Sequence, residues 1–171
     1  MAAVALGLVA WDDAIISSTS ARWNMADVVM IRPLRTTDRG RWETLWRGYL
    51  DFYRADLPAE VTEQTWAALC DDASAVHGLV AEADGELAGL AHTVLHPTTW
   101  ATGPACYLED LFVSKQWRGR NVARRLIEAV YDFADTSGAA SVYWITQEYN
   151  AAARSLYDTV AHRTSYVHYQ R

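Results

Sequence analysis

The 171-residue chain predicts an α/β (α+β) fold: a mixed, mostly antiparallel sheet with helices on both faces. Three observations predict it. Apolar residues recur at helical spacing in two long stretches, 42–53 and 122–133. Asp84-Gly85 separates two strand-like runs in the manner of a tight hairpin. Within 114–121 the hydrophobic period changes from that of a strand to that of a helix, so the unit over 107–146 reads as strand, helix, strand and contributes a parallel pair.

The elements follow in order. Residues 28–34 are the first convincing strand. Thr37 and Asp38 suit the start of a helix running to about Arg54, on which Trp42, Leu45, Trp46, Tyr49, Phe52 and Tyr53 form one apolar stripe. Leu57-Pro58 breaks the chain, and a second helix is expected over 63–71 with Trp66, Leu69 and Cys70 inward. Strands 76–83 and 86–95 make the hairpin, and 107–113 the next strand. Val122, Leu126, Val130 and Phe133 then mark a helix that Gly138 ends. A strand at 141–146, a helix at 150–160 and a last strand at 164–169 complete the order.

A chain of this length is one ordinary domain. Residues 1–27 are expected to be an N-terminal extension, disordered or an artefact of start-site choice with Met25 or Met30 as the alternative start, leaving 28–171 as the functional domain. The apolar run 2–11 lacks a basic flank, is too short to span a bilayer and precedes Asp12-Asp13, which argues against export and against membrane insertion. Net charge is −6, with basic residues gathered at Arg118, Arg120, Arg124 and Arg125. One small polyanion suits that corner, and a nucleic-acid backbone does not. Cys70 and Cys106 have no metal-ligand spacing, and His77, His92, His96, His162 and His168 are scattered singly, so no metal is expected. The cysteine usage fits a reducing, cytoplasmic compartment.

The turn after 107–113 carries the chemistry. A helix N-terminus offers unpaired N–H groups and the positive end of the helix dipole, Gly119 allows close backbone approach, and the arginines add charge. A diphosphate-like group would be held there, although an ordinary solvated strand-turn-helix is the alternative for such a turn taken alone.

These residues in this order resemble the GNAT superfamily of acetyl-CoA-dependent N-acetyltransferases. The family's Arg/Gln-x-x-Gly-x-Gly/Ala turn is matched by Arg118, Gly119, Arg120, Asn121, Val122 and Ala123, with Asn121 where the family usually has Gly; Asn tolerates positive φ better than other non-glycine residues. Tyr-Leu-Glu-Asp-Leu-Phe-Val at 107–113 and Asn-Ala-Ala-Ala-Arg-Ser-Leu-Tyr at 150–157 are similar to the spermidine/spermine and yeast histone and polyamine acetyltransferases of that superfamily. The resemblance implies a strand-turn-helix acetyl-CoA site. The backbone of Leu111, Phe112 and Val113 would meet the pantetheine arm, residues Gly119 to Arg124 the pyrophosphate, and Asn150 to Ala153 the cofactor's far side. Tyr157 falls where the family keeps the tyrosine that protonates the leaving thiolate. A homodimer is implied as well, with 166–171 apolar enough to pair with another chain.

Acetyl transfer requires a neutral amine, and deprotonating an alkylammonium at neutral pH costs roughly 4 to 5 kcal/mol. A carboxylate lowers that barrier. Glu109 and Asp110 are neighbours on a strand and are expected on opposite faces; the resemblance selects Glu109, with His92 as an alternative base. Asp51, Asp56 and Glu60 would suit a cationic acceptor: a small amine, a polyamine-like compound, an amino acid derivative or a protein lysine. The alternatives are a non-catalytic acyl-CoA-binding or sensory module, towards which Asn121 leans, and an antibiotic-modifying acetyltransferase.

Overall fold

The computed structural model describes residues 29–171. The expected extension, 1–27, and Met25 with it, lie outside the described residues. Five strands form one sheet in the order β1-β2-β3-β4-β5: β1 (Met30–Pro33), β2 (Val76–Ala83), β3 (Glu86–His96), β4 (Ala105–Val113) and β5 (Ser141–Tyr143). The first four are antiparallel neighbours, and β4 and β5 run parallel. Helices α1 (Arg39–Tyr53), α2 (Ala59–Leu69), α3 (Val122–Thr136) and α4 (Ala151–Val160) complete the fold.

Two apolar layers flank the sheet. On one face Trp42, Leu45 and Trp46 of α1 and Leu69 of α2 pack with Val80, Leu87 and Leu90. On the other, Val122, Leu126, Ile127 and Val130 of α3 pack with Ala81, Ala91, Cys106 and Leu108, and Leu156, Tyr157 and Val160 of α4 close the margin. The α1 stripe is therefore core for its first two turns, whereas Phe52 and Tyr53 emerge at the helix end. Arg54 closes α1 in the left-handed region at φ 54. Helix α2 begins at Ala59, earlier than the pattern indicates, because Pro58 is pre-set for a helix start.

The expected last strand at 164–169 is not one. Residues 161–171 are exposed and belong to no strand. Alternation there signals strand propensity, yet a strand exists only beside a partner, and Tyr166, Val167 and Tyr169 stand in solvent. Strand β5 likewise stops at Tyr143 rather than 146. That early stop matters for the site. Pairing between β4 and β5 covers only Ala105 to Tyr107, so beyond Tyr107 the two strands part and the far edge of β4 is left open.

Candidate active site

The open edge leads directly into the basic turn. Ser114 N–H bonds the Ala88 carbonyl on the β3 side, while the Val113 carbonyl accepts Arg118 Nε–H from the opposite side at 3.0 Å. By strand alternation the peptide groups of Leu111 and Val113 face the open edge, and those of Phe112 face Leu90 of β3. The ring of Phe112 packs in the α1 layer. Of the expected trio, the backbones of Leu111 and Val113 therefore lie on the edge that no strand covers, with the Val113 carbonyl taken by Arg118.

In the turn, Gly119 has φ 76 and Asn121 φ 61. Asn121 thus supplies the left-handed conformation that the turn needs without a glycine. The first helical bond of α3 runs from Arg125 N–H to the Asn121 carbonyl. The N–H groups of Val122, Ala123 and Arg124 lie ahead of it and point out of the helix N-terminus. Val122 itself is buried and anchors the turn to the core, and Ala123 packs beside it. The Arg118 guanidinium lies 5.8 Å from the centroid of Phe112 and 6.0 Å from that of Phe52, so this side chain ties the turn to β4 and α1. Arg120 stacks on Trp117 at 4.9 Å. Arg124 Nη2 donates to Thr159 Oγ1 at 2.7 Å and links α3 to α4.

Asn150 caps α4: its Oδ1 accepts from Ala153 N–H and its Nδ2 donates to Thr146 Oγ1, both at 3.4 Å. Tyr157, one face of α4 further on, is half-buried against Trp144, their rings 5.4 Å apart. Burial, and then the nearby Tyr53, push its pKa up to about 12. The phenol is protonated across the neutral range, as a proton donor must be.

Glu109 and Asp110 depart from expectation. Across β3 and β4, His92 faces Asp110 and Thr93 faces Leu108, so Glu109 is the extra residue of a β-bulge. Cys106 and Leu108 point to the α3 layer, whereas Asp110 bonds His92 and Phe112 joins the α1 layer. Alternation places Glu109 on the α1 side from Leu108, and the bulge places Asp110 there too. The two carboxylates share one face rather than opposing faces, because the bulge consumes the intervening half-period. Their mutual effect follows: burial, and then the charge of Asp110, raise the pKa of Glu109, although its side chain remains open to solvent.

Sequence reasoning allows the edge of the α1 stripe to wall the acceptor site beside these carboxylates, and it missed Tyr107. Tyr49, Tyr53 and Tyr107 ring them, and burial followed by the carboxylate charges raises the pKa of each phenol. The period of the α1 stripe marks Tyr49 and Tyr53 as mainly core and does not by itself say where the helix end emerges. His92 is 2 % exposed and its ring nitrogens bond Trp42 and Asp110; it is enclosed, not presented to the cleft as a base. Asp51 and Glu60 are exposed beyond this group. Among the described residues, no group of His, Cys, Asp and Glu could hold a metal ion, and no helix is long and apolar enough to cross a membrane.

An open strand edge running into a left-handed turn and a helix N-terminus suits an extended ligand that ends in a diphosphate group. The acetyltransferase (GNAT) family model matches residues 42–160. The chain belongs to that family; it is an acyltransferase with acetyl-CoA as cosubstrate. It is 35 % identical over 147 residues to the D-amino-acid N-acetyltransferase HPA3 of Saccharomyces cerevisiae, covering 85 % of this chain and 91 % of that one. It is 34 % identical over 86 residues to a thialysine N-epsilon-acetyltransferase of Caenorhabditis elegans, covering 50 % and 53 %. Its fold is that of AAC(6')-Iy, solved with the bisubstrate analogue CoA-S-monomethyl-acetylneamine, with a TM-score of 0.74, 22 % identity and coverage of 84 % and 97 %.

Proposed function

We propose that this enzyme acetylates the primary amine of a small cationic compound, such as an amino acid, a polyamine-like amine or a lysine side chain, by direct attack in a ternary complex. The observation that carries this reading is the pair of carboxylates brought to one face at the open edge of β4 and ringed by tyrosines. A carboxylate pair among phenols favours an ammonium group, through charge and through the aromatic faces. The relatives named for D-amino acids and thialysine support an amino acid-like acceptor.

Acetyl-CoA supplies the acetyl group as an activated thioester. Glu109, with its raised pKa, is a stronger base than an ordinary carboxylate and takes the ammonium proton directly or through water. The N–H groups of Leu111 and Val113 align the pantetheine arm, and that of Val113 or Leu111 polarises the thioester carbonyl. Residues Gly119 to Arg124 hold the pyrophosphate, and Asn150 with Ala153 borders the arm. Tyr157 gives its proton to the departing thiolate. The domain is 28–171, the exposed Tyr166, Val167 and Tyr169 favour a homodimer, and the two free cysteines favour a reducing, cytoplasmic compartment.

Release of free thiol from acetyl-CoA over a panel of D- and L-amino acids, thialysine, polyamines, aminoglycosides and a lysine peptide tests the reading. At least one small cationic amine is expected to drive release well above hydrolysis. Failure of every amine in the panel to raise release above hydrolysis would sink it. With the active amine, Tyr157→Phe is expected to lower kcat by about 100-fold with little change in acetyl-CoA KM; unchanged turnover removes Tyr157 from the scheme.

A further inference from the structure

Behind Asp110 lies a chain of buried hydrogen bonds that the scheme above does not use. Trp42 is fully buried on α1 and donates its Nε1–H to His92 Nε2 at 3.0 Å. An indole N–H only donates, so Nε2 must carry the lone pair and the ring proton of the neutral imidazole sits on Nδ1. There it donates to Asp110 Oδ2 at 2.9 Å. The tautomer is set by the tryptophan rather than by the carboxylate.

Packing holds the chain in place. Trp42 stacks on Trp46 with centroids 5.8 Å apart and meets Trp66 at 4.9 Å, and Trp46 lies 5.5 Å from the His92 ring. Rotating the imidazole would strand an indole N–H in the core. Asp110 is thereby oriented by a neutral donor, while its other surroundings are the phenols of Tyr49 and Tyr53 and the carboxylate of Glu109, all of which respond to its charge. A buried histidine that only needed satisfying could bond a backbone carbonyl; this one is aimed at a carboxylate 13 % exposed on the cleft.

We propose that Trp42 and His92 are positioning residues that hold Asp110 as the anchor for the acceptor's ammonium group, next to Glu109, and so set acceptor affinity rather than the rate of the chemical step. The inference rests on the cationic-acceptor reading above.

Two substitutions at His92 separate positioning from packing. His92→Asn places an N–H where Nδ1 was and keeps the bond to Asp110; His92→Gln places its amide at the Nε2 end and satisfies Trp42, leaving Asp110 without its imidazole donor and with the Tyr49 phenol alone. Spermidine and L-lysine are titrated calorimetrically into full-length protein saturated with coenzyme A, alongside coenzyme A affinity and Tm. The expected result is amine affinity within about threefold of wild type for His92→Asn and at least tenfold weaker for His92→Gln, with coenzyme A affinity equal in both. Equal amine affinity in the two variants, or parallel loss of coenzyme A affinity, overturns the inference and leaves the acceptor reading standing. If neither amine binds the wild-type protein and no amine of the panel drives thiol release, both fall.

Discussion

The molecule holds carboxylates in two contrasting ways. Near β1, Asp38 is fully buried and receives two hydrogen bonds from Arg32, at 2.7 and 2.9 Å, one from Arg41 at 2.6 Å and one from the Arg35 backbone N–H at 2.9 Å. Its neighbour Glu82 bonds Arg32 and Arg41 as well. At the open edge of β4, Glu109 and Asp110 meet an imidazole, phenols and one another. The first group is compensated by cations from within the chain and ties β1, the start of α1 and β2 together. The second has neutral donors in place of arginine, which leaves its charge for a ligand. Compensation, rather than burial or residue type, separates a structural carboxylate from a functional one here.

The pKa directions express the same contrast. The hydrogen bond from Arg32, against the opposing effect of burial, holds Asp38 down to about 2. Burial and a like charge push Glu109 up. A depressed carboxylate stabilises the fold at all pH values above its unfolded pKa of about 4, and that contribution disappears as pH falls through about 2. A raised one does the reverse: its contribution is complete below the unfolded pKa and is lost as pH rises through the folded one.

The largest effect is expected at the compensated group. Asp38→Asn leaves Arg32 buried with half its partners and should cost about 3 to 5 kcal/mol, a fall in Tm of about 10 °C at pH 7. Thermal melts across pH sharpen the point, since the gap between variant and wild type should narrow below pH 4. A gap that persists unchanged to pH 2 would mean that Asp38 acts through packing and not through its charge.

A smaller free-energy change, though a large one in rate, is expected at Glu109. Glu109→Gln should lower kcat/KM by about 100-fold at neutral pH and abolish the acid limb, which in the wild type should lie above the ordinary carboxylate range. The same variant should melt slightly higher than wild type at pH 7 and equally at acid pH. Lower stability at pH 7 would place Glu109 with Asp38 as a structural carboxylate and break the comparison.

The smallest effect concerns the turn that both the fold and the cosubstrate share. Asn121→Ala puts a β-carbon without a polar side chain at φ 61 and should cost about 1 kcal/mol, with a several-fold rise in acetyl-CoA KM; Asn121→Gly should leave both nearly unchanged. Equal KM in the two variants would detach the left-handed backbone from cosubstrate binding.

Much of the architecture could be read from short-range features of the chain. Helical and strand periods locate α1, α3, α4 and the four longer strands, because a face that must meet a core repeats its apolar residues at the period of its own backbone. Gly119, Asn121 and the arginines around them mark the left-handed turn for the same local reason: positive φ and a helix N-terminus belong to a few consecutive residues. The terminal segment at 164–169 failed as a strand because alternation is local and pairing is not.

The sequence alone therefore determined the class and put forward the basic turn, Glu109 and Tyr157 as candidates. Tertiary structure decided the rest. The bulge that brings Glu109 and Asp110 to one face is a mismatch between two strands and is invisible in either. The link from Trp42 to His92 to Asp110 spans residues 50 and 18 positions apart, and Tyr53 and Tyr157, far apart in the chain, come close enough for one to raise the pKa of the other. Such juxtapositions are set by how elements pack, and a hydrophobic period records which face of an element is buried without recording what that face will meet.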